Sequence, residues 1–275
     1  MENKVDTSQK FVFKKQFGQN FLTDKNLLKA IVSDAQITSE DEVLEIGPGA
    51  GSLTYELCSV AKKVVCYEID KDLKTLLDQK LREFNNVEII FKDILKVDVN
   101  EIKSQFKAPF KVVANLPYYI TTPIIFLFLE NNFDIKSLTV MVQKEVAERL
   151  TAKESTKEYG TITVSANIKS NVKITRNVSR KLFYPTPNVD SAILHFELKN
   201  NKFDVENWQV LNKLIKASFA MRRKTLFNNL KQAFMLPPET LKQALRDCNL
   251  DENIRGESLN LDEFVKLSNI LTKYL

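Results

Sequence analysis

Asn115-Leu116-Pro117-Tyr118 is the stretch whose residue types promise the most chemistry in this 275-residue chain. An exocyclic amine on adenine is a poor nucleophile, because its lone pair is delocalised into the ring and the nitrogen is flat. The Asn115 side-chain carbonyl and the Leu116 backbone carbonyl can accept both N–H bonds of such an amine and favour a pyramidal, nucleophilic nitrogen. Pro117 fixes the backbone so that the carbonyl before it points into a site. Tyr118 offers a ring on which an extruded base can stack. No strong general base is needed, since the nitrogen becomes acidic once it has been methylated. The alternative reading of these residues is a plain turn around the proline.

A second constellation concerns a cofactor. The chain has six glycines, and Gly47, Gly49 and Gly51 fall within five residues. A strand that ends in such a turn and opens a helix lets the backbone approach a nucleotide-type ligand at the carboxyl end of a parallel sheet. Glu68 ends the next apolar run, where an acid can accept hydrogen bonds from ribose hydroxyls. A dinucleotide fingerprint starting at Gly47 would need its third small residue at Ser52, whereas the third glycine stands one place earlier. That spacing favours the E-x-G-x-G-x-G form of S-adenosylmethionine (SAM) enzymes, led here by Glu45. Asp93, after the third apolar run, is placed to take a hydrogen bond from an adenine amino group. A mere tight turn is the alternative for the glycines.

Other chemistries are excluded by residue counts. The single histidine, His195, lies in an apolar strand-like run and reads as structural. Three cysteines, Cys58, Cys66 and Cys248, share no metal-type spacing and do not form a disulfide framework, so no metal is expected. No apolar run reaches the roughly 20 residues of a membrane-spanning helix, and the first residues do not read as a secretory signal, so a cytoplasmic protein is expected. Net charge is +5 with 35 acids, yet no Asp or Glu falls between Gly160 and Val189 or between Asn207 and Pro238. Lys173, Arg176 and Arg180 lie in the first of these segments and Arg222, Arg223 and Lys224 in the second. Clustered cations of this kind suit a polyanion, with a solvated charged face as the alternative.

The elements that must hold these residues follow from periodicity. Short Val- and Ile-rich runs at Val43–Ile46, Lys63–Tyr67, Val87–Phe91, Lys111–Ala114 and Ser137–Gln143 alternate with helical patterns, which predicts a doubly wound α/β sheet. Two more strands, around Thr161–Ile168 and Ser191–Leu198, are expected as an antiparallel addition at the sheet edge. After Lys199 only helical patterns remain, from Trp208 to Leu275. The expected organisation is a Rossmann-like methyltransferase domain over 1–199 and a small all-helical domain over 200–275 that docks on RNA.

Read together, KKQFGQNFL, EIGPGAG, EID, KDIL, NLPYYITTPII, VQKEVAERL, FYPTPNVDSA and SFAMRRKTLFNNL resemble the KsgA/RsmA and Dim family of small-subunit rRNA adenine N6,N6-dimethyltransferases, sister to the Erm 23S rRNA enzymes. The resemblance covers nearly the whole chain. It implies SAM as cofactor, with Asn20 and Leu22 in contact with it, Gly47 beneath its methionine part, Glu68 on the ribose, Asp93 and Ile94 around the adenine, and Asn115 at the transfer point. It also implies that Phe183 flanks the target base. The substrate implied is 16S rRNA in an immature small subunit, bearing two adjacent adenosines. A monomer is expected. Tyr119 departs from the asparagine that many relatives carry after the NLPY core. An Erm-like 23S enzyme and a non-catalytic assembly factor remain as alternatives.

Overall fold

A computed structural model describes residues 21–22, 24–107, 109–131, 133–199 and 203–275. In chain order the elements begin β1 (Phe21–Leu22), α1 (Lys25–Asp34), β2 (Glu42–Ile46), α2 (Ser52–Cys58), β3 (Lys63–Tyr67), α3 (Lys74–Lys80), β4 (Val87–Ile90), α4 (Val99–Ser104) and β5 (Phe110–Asn115). They continue with α5 (Thr121–Glu130), β6 (Ile135–Gln143), α6 (Lys144–Leu150), α7 (Thr161–Lys169), β7 (Ser170–Val178), β8 (Phe183–Tyr184) and β9 (Ser191–Leu198). The last four are α8 (Trp208–Ser218), α9 (Leu226–Ala233), α10 (Pro238–Asp247) and α11 (Leu261–Thr272).

Seven strands form one sheet in the order β4-β3-β2-β5-β6-β9-β7. The first five run parallel, and β9 pairs antiparallel with both β6 and β7. Parallel strands covered on both faces need apolar residues throughout, which is why their runs read as continuous rather than alternating. On one face Leu44, Ile46, Val112 and Val140 pack with Ile124, Ile125 and Phe128 of α5. On the other, Val43, Val64, Val113 and Met141 pack with Leu27 and Ile31 of α1 and Leu57 of α2. The chain leaves β2 towards β3 on one side and returns to β5 on the other, so the strand order reverses between β2 and β5. Such a reversal opens a crevice at the carboxyl ends of the strands.

The amino ends of the central strands β2, β5 and β6 are tied together electrostatically. Asp41 accepts bonds from Lys111 at 2.9 Å and Lys136 at 3.2 Å, and from the Thr38 hydroxyl at 2.8 Å. Burial alone would raise this carboxyl, but those donors outweigh it and hold it at about 2.

Thr161–Ile168 is not a strand. It is the body of α7, and the edge strand begins directly after it at Ser170. The β-branched residues of TITVSANIK favour a strand locally, but tertiary packing overrides them. The Thr163 hydroxyl accepts the Gly160 N–H at 3.1 Å and donates to the Arg149 carbonyl at 2.6 Å, which pins the first turn. Helical spacing then sends Ala166 into the sheet core and Val164 and Ile168 into a second core. That second core, built from Leu214, Leu230, Leu245, Phe264 and their neighbours on α8–α11, also takes in Tyr159. The helical region therefore packs onto a piece of chain that precedes residue 199.

Candidate active site

The crevice at the strand reversal is lined by four consecutive strand ends: Ile46, Gly47 and Gly49 after β2, Tyr67–Ile69 after β3, Lys92–Leu95 after β4, and Leu116, Pro117, Tyr119 and Ile120 after β5. Gly47, Gly49 and Gly51 all have φ between +54° and +72°, the left-handed region that glycine enters without strain. At Gly47 a Cβ would meet no atom within 4 Å, so the bare backbone faces open space; at Gly51 it would come within 2.9 Å of the Leu77 Cδ2, so α2 and α3 pack too closely there for a side chain.

Glu68 is buried, and its two oxygens accept the Gly49 N–H at 3.1 Å and the Asp70 N–H at 2.8 Å. The carboxylate thus shapes the glycine loop from beneath, and each oxygen keeps a lone pair for a hydroxyl donor. Burial raises its pKa, which the backbone donors partly offset. Asp93 caps the short 3-10 turn Ile94–Lys96 through Oδ1, which accepts the Leu95 N–H at 3.1 Å, while Oδ2 lies 3.6 Å from the Lys96 ammonium. A flat heterocycle, a ribose and a charged tail all have partners in this donor and acceptor set, so the residues fit a nucleoside cofactor.

Beneath the loop lies a group not needed for contact. Glu45 is 1% exposed and takes a weak bond from the Cys66 thiol at 3.6 Å. Burial pushes its carboxyl up to about 7, with the Thr54 hydroxyl and Cys66 opposing and the Glu68 charge adding. Burial also pushes the Cys58 thiol up to about 12 and Cys66 well above its usual range, so neither is a nucleophile.

Asn115 ends β5, half-buried, and its amide has no hydrogen-bond partner among the described residues. Pro117 opens the turn Tyr118–Ile120, and its carbonyl accepts the Ile120 N–H at 3.1 Å. The Tyr118 phenol lies 2.8 Å from the Ser191 hydroxyl and is raised in pKa by burial. Tyr118 itself is not part of the cavity lining, whereas Tyr119 is.

Other expected residues stand elsewhere. Leu22 is buried in the core against α1, and β1 pairs with β8; Asn20 lies outside the described residues. Phe183 is also buried in that core, packed with Val178 and Ile193, so its ring is not presented to solvent. His195 is buried, with Nδ1 2.9 Å from the Thr139 hydroxyl, and burial lowers its pKa; it is a neutral sheet residue.

The six expected RNA-contacting cations divide into two groups. Arg176 grips Asp34 of α1 through two bonds of 3.1 Å. Arg180 donates to the Asn188 carbonyl at 2.9 Å. Arg222 binds Glu257 at 3.1 Å and the carbonyls of Lys157 at 2.7 Å and Tyr159 at 3.3 Å, bracing the helical region against the segment before α7. Lys173, Arg223 and Lys224 are exposed and form no ion pair among the described residues. Charge counting cannot distinguish the two groups, because the partners of Arg176 and Arg222 lie far away in sequence and that of Arg180 is a backbone carbonyl.

The family model for ribosomal RNA adenine dimethylase matches residues 10–273. The chain belongs to the ribosomal RNA adenine dimethylase family. Among its relatives, the ribosomal RNA small subunit methyltransferase A of Clostridioides difficile is 44% identical over 95% of this chain and 91% of its own length. The protein of the same name from Listeria monocytogenes is 45% identical over 96% of this chain and 92% of its own. Two solved structures align with 92% of the chain. A dimethyladenosine transferase from Plasmodium falciparum gives a TM-score of 0.80 at 28% identity, over 98% of that chain. The 23S rRNA methyltransferase ErmE gives 0.71 at 27% identity, over all of that chain. Membership makes the chain an rRNA-modifying methyltransferase on the doubly wound fold described above. Among the described residues no helix is long and apolar enough to cross a membrane, and no cluster of His, Cys, Asp and Glu could hold a metal ion.

Proposed function

We propose that this protein uses SAM to dimethylate the N6 amino groups of two adjacent adenosines of 16S rRNA, in the cytoplasm, on an assembling small ribosomal subunit. The observation that carries this reading is the convergence of Leu116 and Pro117, directly after Asn115, with the glycine loop, Glu68 and Asp93 on one cavity. The small-subunit names of the relatives favour 16S over 23S rRNA.

In this reading Gly47 and Gly49 give the backbone access to the tail of the cofactor, Glu68 accepts its ribose hydroxyls, and Asp93 with Ile94 holds its adenine edge. When bound, SAM supplies a methyl group activated by its sulfonium. The free amide oxygen of Asn115 and the Leu116 carbonyl accept the two N–H groups of the target amine, drawing its lone pair out of conjugation. Tyr118, held by Ser191, turns its ring towards the extruded base. As the nitrogen–methyl bond forms, the nitrogen becomes cationic and acidic, and its proton passes to water without a histidine. The exposed Lys173, Arg223 and Lys224 offer the phosphate contacts that position the rRNA. Arg176, Arg180 and Arg222 would have to share their existing partners with phosphates to contribute.

The test is transfer from labelled SAM to unmodified 30S and 50S particles. Label is expected in the 30S RNA alone, recovered as dimethyladenosine. Asn115→Ala is expected to cut the rate by about 10²–10⁴ while cofactor affinity is retained, since the lost bonds act on charge developing in the transition state. Labelled 50S RNA, or near-normal transfer by Asn115→Ala, would overturn the reading.

A further inference from the structure

One aromatic ring on the cavity wall has no task in the transfer chemistry. Tyr119 is 61% exposed, lines the cavity beside Leu116, Pro117 and Ile120, and its phenol has no hydrogen-bond partner among the described residues. Its neighbour Tyr118 is the converse, half-buried and tethered to Ser191. Two more large apolar side chains line the same cavity from the strand ends facing the β5 turn. Ile69, directly after Glu68, is 48% exposed, and Leu95, two places after Asp93, is 40% exposed. Large apolar groups left open to water around one cavity mark a place where a ligand completes their burial.

We infer that Tyr119 is the outer wall of an adenosine clamp, closing over the purine of the cofactor opposite Ile69 and Leu95 and setting how fast the cofactor leaves. The inference rests on the reading of this cavity as the SAM site. A purine presents two apolar faces and a polar edge, which suits aliphatic side chains on one wall, an aromatic ring on the other and Asp93 at the edge. The occupant is the cofactor rather than an rRNA base because Tyr119 shares its cavity with Gly47, Gly49 and Glu68. Dimethylating two adenosines takes four transfers. Each converts the sulfonium to a neutral thioether as its methyl–sulfur bond breaks, so spent S-adenosylhomocysteine must leave before the next transfer begins. A wall that grips through the purine holds both forms alike, and its opening becomes a recurring kinetic step.

Calorimetry and rapid-dissociation measurements on the full chain test this without RNA. Tyr119→Ala is expected to weaken SAM and S-adenosylhomocysteine together by about tenfold, mainly through faster dissociation, and Tyr119→Phe to restore both, since only the ring is required. Glu68→Ala serves as the control for the site itself, with an expected loss of at least about tenfold in SAM affinity. A folded Tyr119→Ala protein that binds both ligands within twofold of wild type, while Glu68→Ala loses affinity, would overturn the clamp and leave the SAM site standing. Unchanged binding in Glu68→Ala would overturn the site reading beneath it. If Tyr119→Ala lost affinity only for the ribosomal subunit, the ring would belong to the RNA surface and the clamp would be wrong.

Discussion

The Tyr118 hydroxyl lies 2.8 Å from the hydroxyl of Ser191, the first residue of β9. This bond reaches over β6 and ties the turn after β5 to the antiparallel strand beyond it. The sheet order explains why the two residues meet despite a separation of 73 positions: β9 lies next to β6, which lies next to β5. A phenol is protonated at neutral pH, and burial raises its pKa further, so the tether is a neutral hydroxyl pair.

Tyr118→Phe keeps the ring and removes the tether, and Ser191→Ala removes it from the other side. Each is expected to slow transfer by about fivefold to tenfold, the worth of about 1 kcal/mol of orientation. SAM affinity should stay constant, because neither residue lines the cofactor cavity. The double variant should be no slower than either single one, since both remove the same bond. Single-turnover methylation of 30S particles measures all three; rates that multiply in the double variant would show that the bond does not orient the ring.

Legibility in the sequence tracks how local each cause is. The positions of the glycine loop, Glu68, Asp93 and Asn115 at a left-handed turn and at strand ends are legible because such turns and strand-end polar residues leave a spacing. Of the five parallel strands, β2, β3, β5 and β6 are legible because burial on both faces gives largely apolar runs, and β4, half-buried at the edge, is legible from its Val and Ile residues. α7 is not legible in this way, since TITVSANIK carries strand propensity and only its contacts with Arg149 and two separate cores make it a helix. Phe183 shows the same limit in another form: its aromatic character is visible, but its burial against Val178 and Ile193 depends on packing between distant elements. The exposure of Tyr119 and its place on the cavity wall are likewise properties of the fold that the sequence does not display.

Glu45 makes the stability of the sheet dependent on pH. Its folded value of about 7 lies above the ordinary 4.5 because the charged form is desolvated. A raised carboxyl contributes fully below its unfolded value and loses that contribution as pH rises through the folded one. Glu45→Gln, which cannot ionise, should therefore match wild type near pH 4.5 and exceed it above pH 7, by roughly 3 kcal/mol at the plateau. Thermal melts of both proteins between pH 5 and 8.5 give the comparison. A difference that does not grow with pH would mean that Glu45 is ionised, or solvated, in the folded protein.

Arg222, Arg223 and Lys224 are adjacent in sequence and differ in what their charges already do. The Arg222 guanidinium is committed to Glu257 and to the carbonyls of Lys157 and Tyr159, so removing it strips hydrogen bonds from the junction between the helical region and the segment before α7. Part of that side chain is open to solvent, which limits the loss to about 1–2 kcal/mol. Arg223 and Lys224 have no such partners among the described residues, so their removal should leave the fold alone and act on RNA. Arg222→Ala is expected to melt several degrees lower with the salt dependence of subunit binding unchanged. Arg223→Ala with Lys224→Ala should keep the wild-type melting temperature and flatten the slope of log affinity against log salt by about one for each lost phosphate contact. Melting curves and subunit binding between 50 and 200 mM salt, the range over which such contacts change affinity by about 10³ or more when several are present, separate the two roles. An Arg222→Ala protein of undiminished stability but shallower slope would assign that guanidinium to the rRNA, with Glu257 serving only to hold it until a phosphate arrives.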